Sequence, residues 1–246
     1  MRNVLYLTFA LLLTSTTTPA APPELHVAAA ANLSNVLPVL NAAFEKKTGI
    51  HIVPSMGATA QLAQQIENGA PFDVFLSADV SHVDQLVGKQ IVIPETRAIY
   101  ARGELVVWAP HTPAIRSLND LAKPDVHAIA IAKPELAPYG AAAIEVLKAA
   151  KLWDKVEKKV VYSPSISIAK QYADTGNAEA AFTALALTID EHGNSFPVDG
   201  KLHKPIDQAL GIIKASNQQK EARAFTAFLK SADARAILKR FGYTAP

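Results

Sequence analysis

The sequence predicts an α/β fold with largely parallel sheets. Short β runs alternate with amphipathic helical stretches along most of the chain, the pattern that crossover connections produce. Half of the residues are hydrophobic and only 19% are charged, ample material for buried cores. Repeatedly, a β run ends in a loop of small residues that opens directly into a helix. The length suits one large or two small domains, and no internal repeat or linker-like tract divides it.

The N-terminus is read apart from the fold. Arg2 is the only charge before Glu24, Val4 to Leu13 is apolar but too short to span a bilayer, and small residues follow at Thr18-Pro19-Ala20-Ala21. This is the pattern of a secretory signal over residues 1–20, removed before folding. The sequence contains no cysteine. An exported chain without cysteine builds no disulfide framework and carries no lipid-modified cysteine, so the mature protein is expected to be free rather than anchored. The net charge is +2 and its positive residues are scattered, which gives no nucleic-acid surface.

Leu25 to Ala29 reads as the first strand. Leu33, Val36, Leu37, Leu40 and Phe44 then share one helical face that Gly49 ends. Pro38 removes a backbone donor inside that stretch, so the helix is expected to kink there or to begin late, near Ser34. His51 to Val53 is a second strand, followed by a helix from Thr59 with Leu62, Ala63 and Ile66 inward. Asp73 to Ser77 is a third strand, and Leu105 to Trp108 opens a new section. Within it Ala128 to Ala132, Val160 to Tyr162 and the run "AEAAFTALAL" read as strands, with helices over 140–156 and 165–173. Two helices close the chain, Gln218 to Lys230 and Ala232 to Phe241. If the chain forms two lobes, it must cross between them near residues 100–105 and again near 203–208.

The chemistry concentrates in four loops: "AAAANLS" at 28–34, "SMGATAQ" at 55–61, "ELAPYGA" at 135–141 and "SPSISIA" at 163–169. Carboxyl ends of strands leading into helix starts are where open α/β sheets bind ligands. Each helix start leaves backbone N–H groups unpaired, with the positive end of the helix dipole behind them. Small residues let an anion approach those donors, and Asn32, Thr59 and Ser165 add short polar side chains. For any one loop the competing reading is an ordinary helix cap bonding its own backbone.

Other chemistries find little support. The seven histidines show no metal-ligand spacing, and neither a nucleophile elbow nor a phosphate-binding P-loop is present. No adjacent tyrosine pair suggests ferric-ion capture. Trp108 and Trp153 are the only tryptophans, which disfavours a sugar-stacking groove. A polyamine site needs carboxylates, and Glu135 is the only one in the four loops.

Five stretches carry a resemblance: "LHVAAAANLSNVL", "FEKKTGIHIVPSMGATAQLAQQIENGAPFDVFLSAD", "ELVVWAP", "KPELAPYGAAAIEVLKAAKLWDKV" and "FLKSADARAILKRFGYT". The chain resembles the periplasmic molybdate-binding proteins of ABC transporters over nearly all its mature length. "GAPFDVFLSAD" and the "RFGYT" ending are the more specific matches. The resemblance implies a two-lobed periplasmic-binding-protein-like fold of type II, each lobe a mixed, mostly parallel sheet flanked by helices. It implies lobe one over 21–104 plus 205–246 and lobe two over 105–204, joined by a two-crossover hinge. It further implies a periplasmic, non-enzymatic protein, expected to be monomeric, with no cofactor. Its ligand would be molybdate or tungstate, held by hydroxyls, amides and backbone N–H groups without counter-charges. Its partner would be the membrane permease of an ABC transporter.

Residue by residue, the resemblance places Asn32 and Thr59 at the first two ligand positions, and Tyr139 and Ile166 at the third and fourth through their backbones. Two positions depart from the pattern. Asn32 stands where many members have serine. Ala184 stands where some members have a tyrosine that donates its hydroxyl. Tyr139 is expected either to supply that hydroxyl from the third loop or to cover the cleft mouth as a lid. The alternatives are another tetrahedral oxyanion, such as sulfate or chromate, and an enzyme on the same scaffold.

Overall fold

The computed structural model describes residues 23–245. The signal expected at residues 1–20 lies outside them. Two five-stranded sheets, each covered by helices on both faces, form the two lobes.

The first sheet is built from β1 (Glu24–Ala30), β2 (His51–Gly57), β3 (Val74–Ser77), β4 (Ala98–Gly103) and β10 (Ile206–Ile212), in the order β2-β1-β3-β10-β4. The second holds β5 (Leu105–Trp108), β6 (Ile129–Ala132), β7 (Val160–Ser163), β8 (Ala180–Ala184) and β9 (Ser195–Pro197), in the order β7-β6-β8-β5-β9. Both follow one plan. Three parallel strands stand together, and the fourth in the order, β10 or β5, runs antiparallel to both its neighbours. The chain leaves the first sheet across Glu104 alone and returns between Pro197 and Ile206.

In the first lobe α1 (Leu37–Thr48), α7 (Gln219–Leu229) and α8 (Ala232–Arg240) cover one face of the sheet. Phe44 anchors that layer, its ring 5.1 Å from Phe225 and 5.5 Å from Phe228. The other face is covered by α2 (Thr59–Glu67) and α3 (Ser81–Gly88). In the second lobe α4 (Pro138–Ala149) and α5 (Trp153–Val156) take one face and α6 (Ile166–Asp174) the other. The alternation of Leu25, Val27 and Ala29 against Ala28 sorts β1 between its two layers. No described helix is long and apolar enough to cross a membrane.

The departures from the sequence reading have local causes. The first helix begins at Leu37 rather than near Ser34, which puts Pro38 in the first turn, where a missing N–H removes no helical bond. Residues Ala31–Leu33 form a separate 3-10 turn. The helix expected over 140–156 is two, broken at Lys151, whose φ is +57°. The run 178–187 is a five-residue strand and then a 3-10 turn, Leu185–Leu187. The sequence reading missed α3, β4, β9 and β10. In β10, Asp207 and Gln208 interrupt the apolar run, and the strand exists because β3 and β4 flank it.

Candidate functional site

The four loops meet at a cavity between the lobes. Asn32 and Thr59 line it from the first lobe, Tyr139, Ser165 and Ile166 from the second, and alanine, glycine and proline complete the wall. Among the described residues no charged side chain lines it, and Glu135 is not part of the wall. The cavity is tight, about 10 Å³, and the lobes are closed on it. The Ala60 N–H donates to the Leu136 carbonyl at 3.1 Å, a main-chain bond from one lobe to the other. A roomier groove of about 890 Å³ runs past Phe72, Asp73 and Lys214 at the opposite end of the first sheet. It lies off the amino ends of the parallel strands, whereas open α/β sheets bind ligands at the carboxyl ends, so the tight cleft is the better candidate.

Each helix start presents its donors for a readable reason. The residue before α2 is Ala58, which offers no side-chain cap, so with the Ala60 N–H spent on the Leu136 carbonyl it is the Thr59 N–H that has no local acceptor. Thr59 is therefore the first helical residue rather than the cap. Its Oγ1 accepts from the Ala78 N–H at 3.2 Å, which leaves its own proton available to donate. Thr59 is only 1% exposed. Ala137 likewise leaves α4 uncapped, and Pro138 has no N–H, so the first amide that helix can present is that of Tyr139. Ser165 is a true cap, its Oγ accepting from the Ile168 N–H at 3.4 Å. The Ile166 N–H stands at the first position of α6, ahead of the intrahelical ladder.

The structure gives two of the expected side chains surroundings of their own. Asn32 was expected to donate its amide to a ligand. Its Nδ2 instead donates to Gln208 Oε1 at 2.7 Å and to Tyr243 Oη at 2.8 Å, so both amide hydrogens are used within the protein. Its Oδ1 is buried without a partner. Tyr139 was expected to donate its hydroxyl or to act as a lid. At 1% exposure its ring cannot sit at a solvated mouth. The hydroxyl turns back toward the hinge, so close to Gly103 that a β-carbon there would lie 1.8 Å from it. Burial pushes the Tyr139 pKa well up, and neighbouring Tyr243, Tyr100 and Glu104 push the same way against a small opposing pull from the Asn32 amide. The hydroxyl stays protonated; it lies beside the Asn32 amide without reaching hydrogen-bond geometry with it or with any other group. Ala184 ends β8, fully buried and outside the cavity wall.

Sequence reasoning missed Ala78, Gln208 and Tyr243. Tyr243 lay within the quoted "RFGYT" ending, but no local pattern connects it to a loop 211 residues earlier.

Two hinged α/β lobes closed on a donor-lined cleft are the architecture of a solute-binding protein. The family model described as bacterial extracellular solute-binding protein matches residues 25–244, and the chain belongs to that family. It is 38% identical to the molybdate-binding protein of Rhodobacter capsulatus over 226 residues, covering 92% of this chain and 90% of that one. Among solved structures it is similar to the periplasmic molybdate-binding protein of Azotobacter vinelandii, with a TM-score of 0.87 and 33% identity over 91% of this chain and all of that one. It is also similar to the substrate-binding domain of a molybdenum ABC transporter from Clostridium difficile, with a TM-score of 0.70 and 29% identity over 91% of this chain and 99% of that one.

Proposed function

We propose that this chain is a periplasmic binding protein that captures molybdate, and tungstate with it, for import by an ABC transporter. The observation that carries the reading is the uncharged cleft into which α2, α4 and α6 direct uncovered N–H groups. A fully deprotonated tetrahedral dianion only accepts hydrogen bonds, so donors and helix dipoles suit it without counter-charges. Each charge-assisted bond contributes about 1.5 to 3 kcal/mol net. Several together offset the desolvation of a small dianion and leave an affinity of about −8 to −12 kcal/mol, micromolar to nanomolar.

In this reading Thr59 donates its hydroxyl and its N–H, while Tyr139 and Ile166 donate N–H groups. Asn32 shapes the first loop from behind. Residues 21–104 with 205–246 form one lobe and 105–204 the other, and ligand favours the closed state because each lobe contributes different donors. The permease reads the closed form. In this reading the protein binds without turnover, since among the described residues the cleft hydroxyls of Thr59 and Ser165 have no general base in the wall to activate them. Phosphate near neutral pH keeps a proton that needs an acceptor, so it binds less well.

Calorimetric titration with molybdate, tungstate, sulfate and phosphate, alongside native mass spectrometry of the protein as purified, tests this. Molybdate and tungstate should bind at micromolar or better and phosphate weakly. Equal stabilisation by phosphate and molybdate would sink the reading.

A further inference from the structure

The Asn32 side chain is held by two residues from distant parts of the chain, and both lie in segments that adjoin the hinge crossings. Gln208 lies on β10, directly after the return crossing, and is fully buried. Its Nε2 donates to the Ile206 carbonyl at 3.0 Å, which turns its Oε1 toward Asn32. Tyr243, 3% exposed, grips Asn32 twice. Its hydroxyl accepts from Asn32 Nδ2 at 2.8 Å and donates to the Asn32 carbonyl at 2.9 Å. The next residue, Thr244, exchanges two main-chain bonds with Arg102 at 2.9 and 3.0 Å, so the C-terminal tail is stitched to β4 beside the outgoing crossing. Ile206 pairs with Gly103, which closes the circuit between the two crossings.

We infer that Gln208 and Tyr243 are positioning residues for the anion site: they fix the first loop through Asn32 and tie its shape to the hinge, without touching the ligand. This rests on the site proposed above for Asn32's loop. A loop of alanines has few side chains with which to hold itself: Ser34 donates locally to the Ala31 carbonyl at 2.7 Å, and Asn32 is the polar side chain that ties the loop to distant parts of the chain. The polarity of the circuit runs one way. Gln208 accepts from Asn32 because the bond from its Nε2 to the Ile206 carbonyl leaves Oε1 facing Asn32, and Tyr243 accepts from Nδ2 because its proton is committed to the Asn32 carbonyl. Removing either acceptor frees the side chain to turn and the loop to shift, while the loop's own sequence is unchanged.

The experiment uses Tyr243→Phe and Gln208→Met, with Tyr100→Phe as the control. Tyr100 is a buried tyrosine of the same core layer whose hydroxyl has no partner, so its removal deletes an equivalent oxygen from outside the circuit. Two measurements are made well below the unfolding temperature: amide hydrogen exchange of the ligand-free proteins, and calorimetric affinity for sodium molybdate. Tyr243→Phe and Gln208→Met should each speed exchange at residues 31–34 at least fivefold over the α7 amides and weaken molybdate binding about tenfold, with Tyr100→Phe matching the parent. Thermal destabilisation with loop exchange and affinity unchanged would overturn the inference and leave a merely structural role. If the parent protein itself fails to bind molybdate, the ligand reading has failed, and the exchange measurement alone decides the positioning claim. Should one variant not fold, the other carries the test.

Discussion

The two lobes share a sheet plan yet equip the cleft differently. The first lobe contributes the Thr59 hydroxyl, oriented by the Ala78 N–H, and a loop anchored through the Asn32 side chain. The second contributes backbone: Pro138 makes Tyr139 the first amide of α4, and Ser165 caps α6 so that Ile166 stands free. The proposed anion site therefore rests on residue identity on one side and on helix placement on the other. The first kind is sensitive to side-chain substitution, the second to anything that moves a helix.

The largest effect should come from displacing a helix of the second lobe. A β-carbon on Gly140 would lie 2.0 Å from the Ala132 carbonyl oxygen, backbone against backbone. Gly140→Ala should lift α4 off β6 and destabilise the fold by about 3 kcal/mol, with loss of binding, read by chemical unfolding and titration. Stability equal to the parent would show that α4 is not seated as described. On the first lobe, Thr59→Ala should weaken molybdate binding by about 1 to 3 kcal/mol, while Thr59→Ser retains most of it. Equal loss in both variants would mean that the methyl group matters and the hydroxyl does not.

A smaller effect concerns Asp79, which follows Ala78 on the loop that orients Thr59. Burial acts to raise its pKa, but the side-chain and backbone hydrogen bonds from His82 outweigh it and hold the carboxyl below 3.8. A depressed folded-state pKa means stability that is present above 3.8 and lost as pH falls through the lower folded value. Asp79→Asn should therefore lower the thermal midpoint at neutral pH, and the gap to the parent should close in acid below that point. A gap that widens in acid would contradict the assignment.

The backbone side of the comparison makes the mildest predictions. Ile166→Val should cost about 0.5 to 1.5 kcal/mol of stability and leave affinity unchanged, because the N–H is retained. Tyr139→Phe deletes a buried hydroxyl that has no partner. It should leave affinity within twofold and raise ligand-free stability by up to about 1 kcal/mol. A tenfold loss of affinity would return the hydroxyl to the ligand and undo the division between the lobes.

Legibility followed the range of the interaction. The strand–loop–helix repeats around Thr59 and Ile166 were readable because an uncovered N–H at a helix start depends on the few residues beside it. The late start of α1 was half readable: Pro38 demanded an adjustment, and only packing placed the first turn at Leu37. Strand β10 was not, since its Asp207 and Gln208 break the pattern until β3 and β4 stand on either side.

By itself the sequence determined the alternation of strands and helices, the small-residue helix starts and the scarcity of charge in their loops, where Glu135 is the only carboxylate. Those are consequences of backbone geometry and of residue type, and they act over a few residues. Tertiary structure alone decided where the polar side chains point. Asn32 faces Gln208 and Tyr243 because the hinge strand and the C-terminal tail reach it from 176 and 211 residues away. The Tyr139 hydroxyl faces the hinge because Gly103 lacks the β-carbon that would exclude it. A buried amide or hydroxyl takes its direction from whichever partners and spaces surround it, and a linear sequence does not contain that neighbourhood.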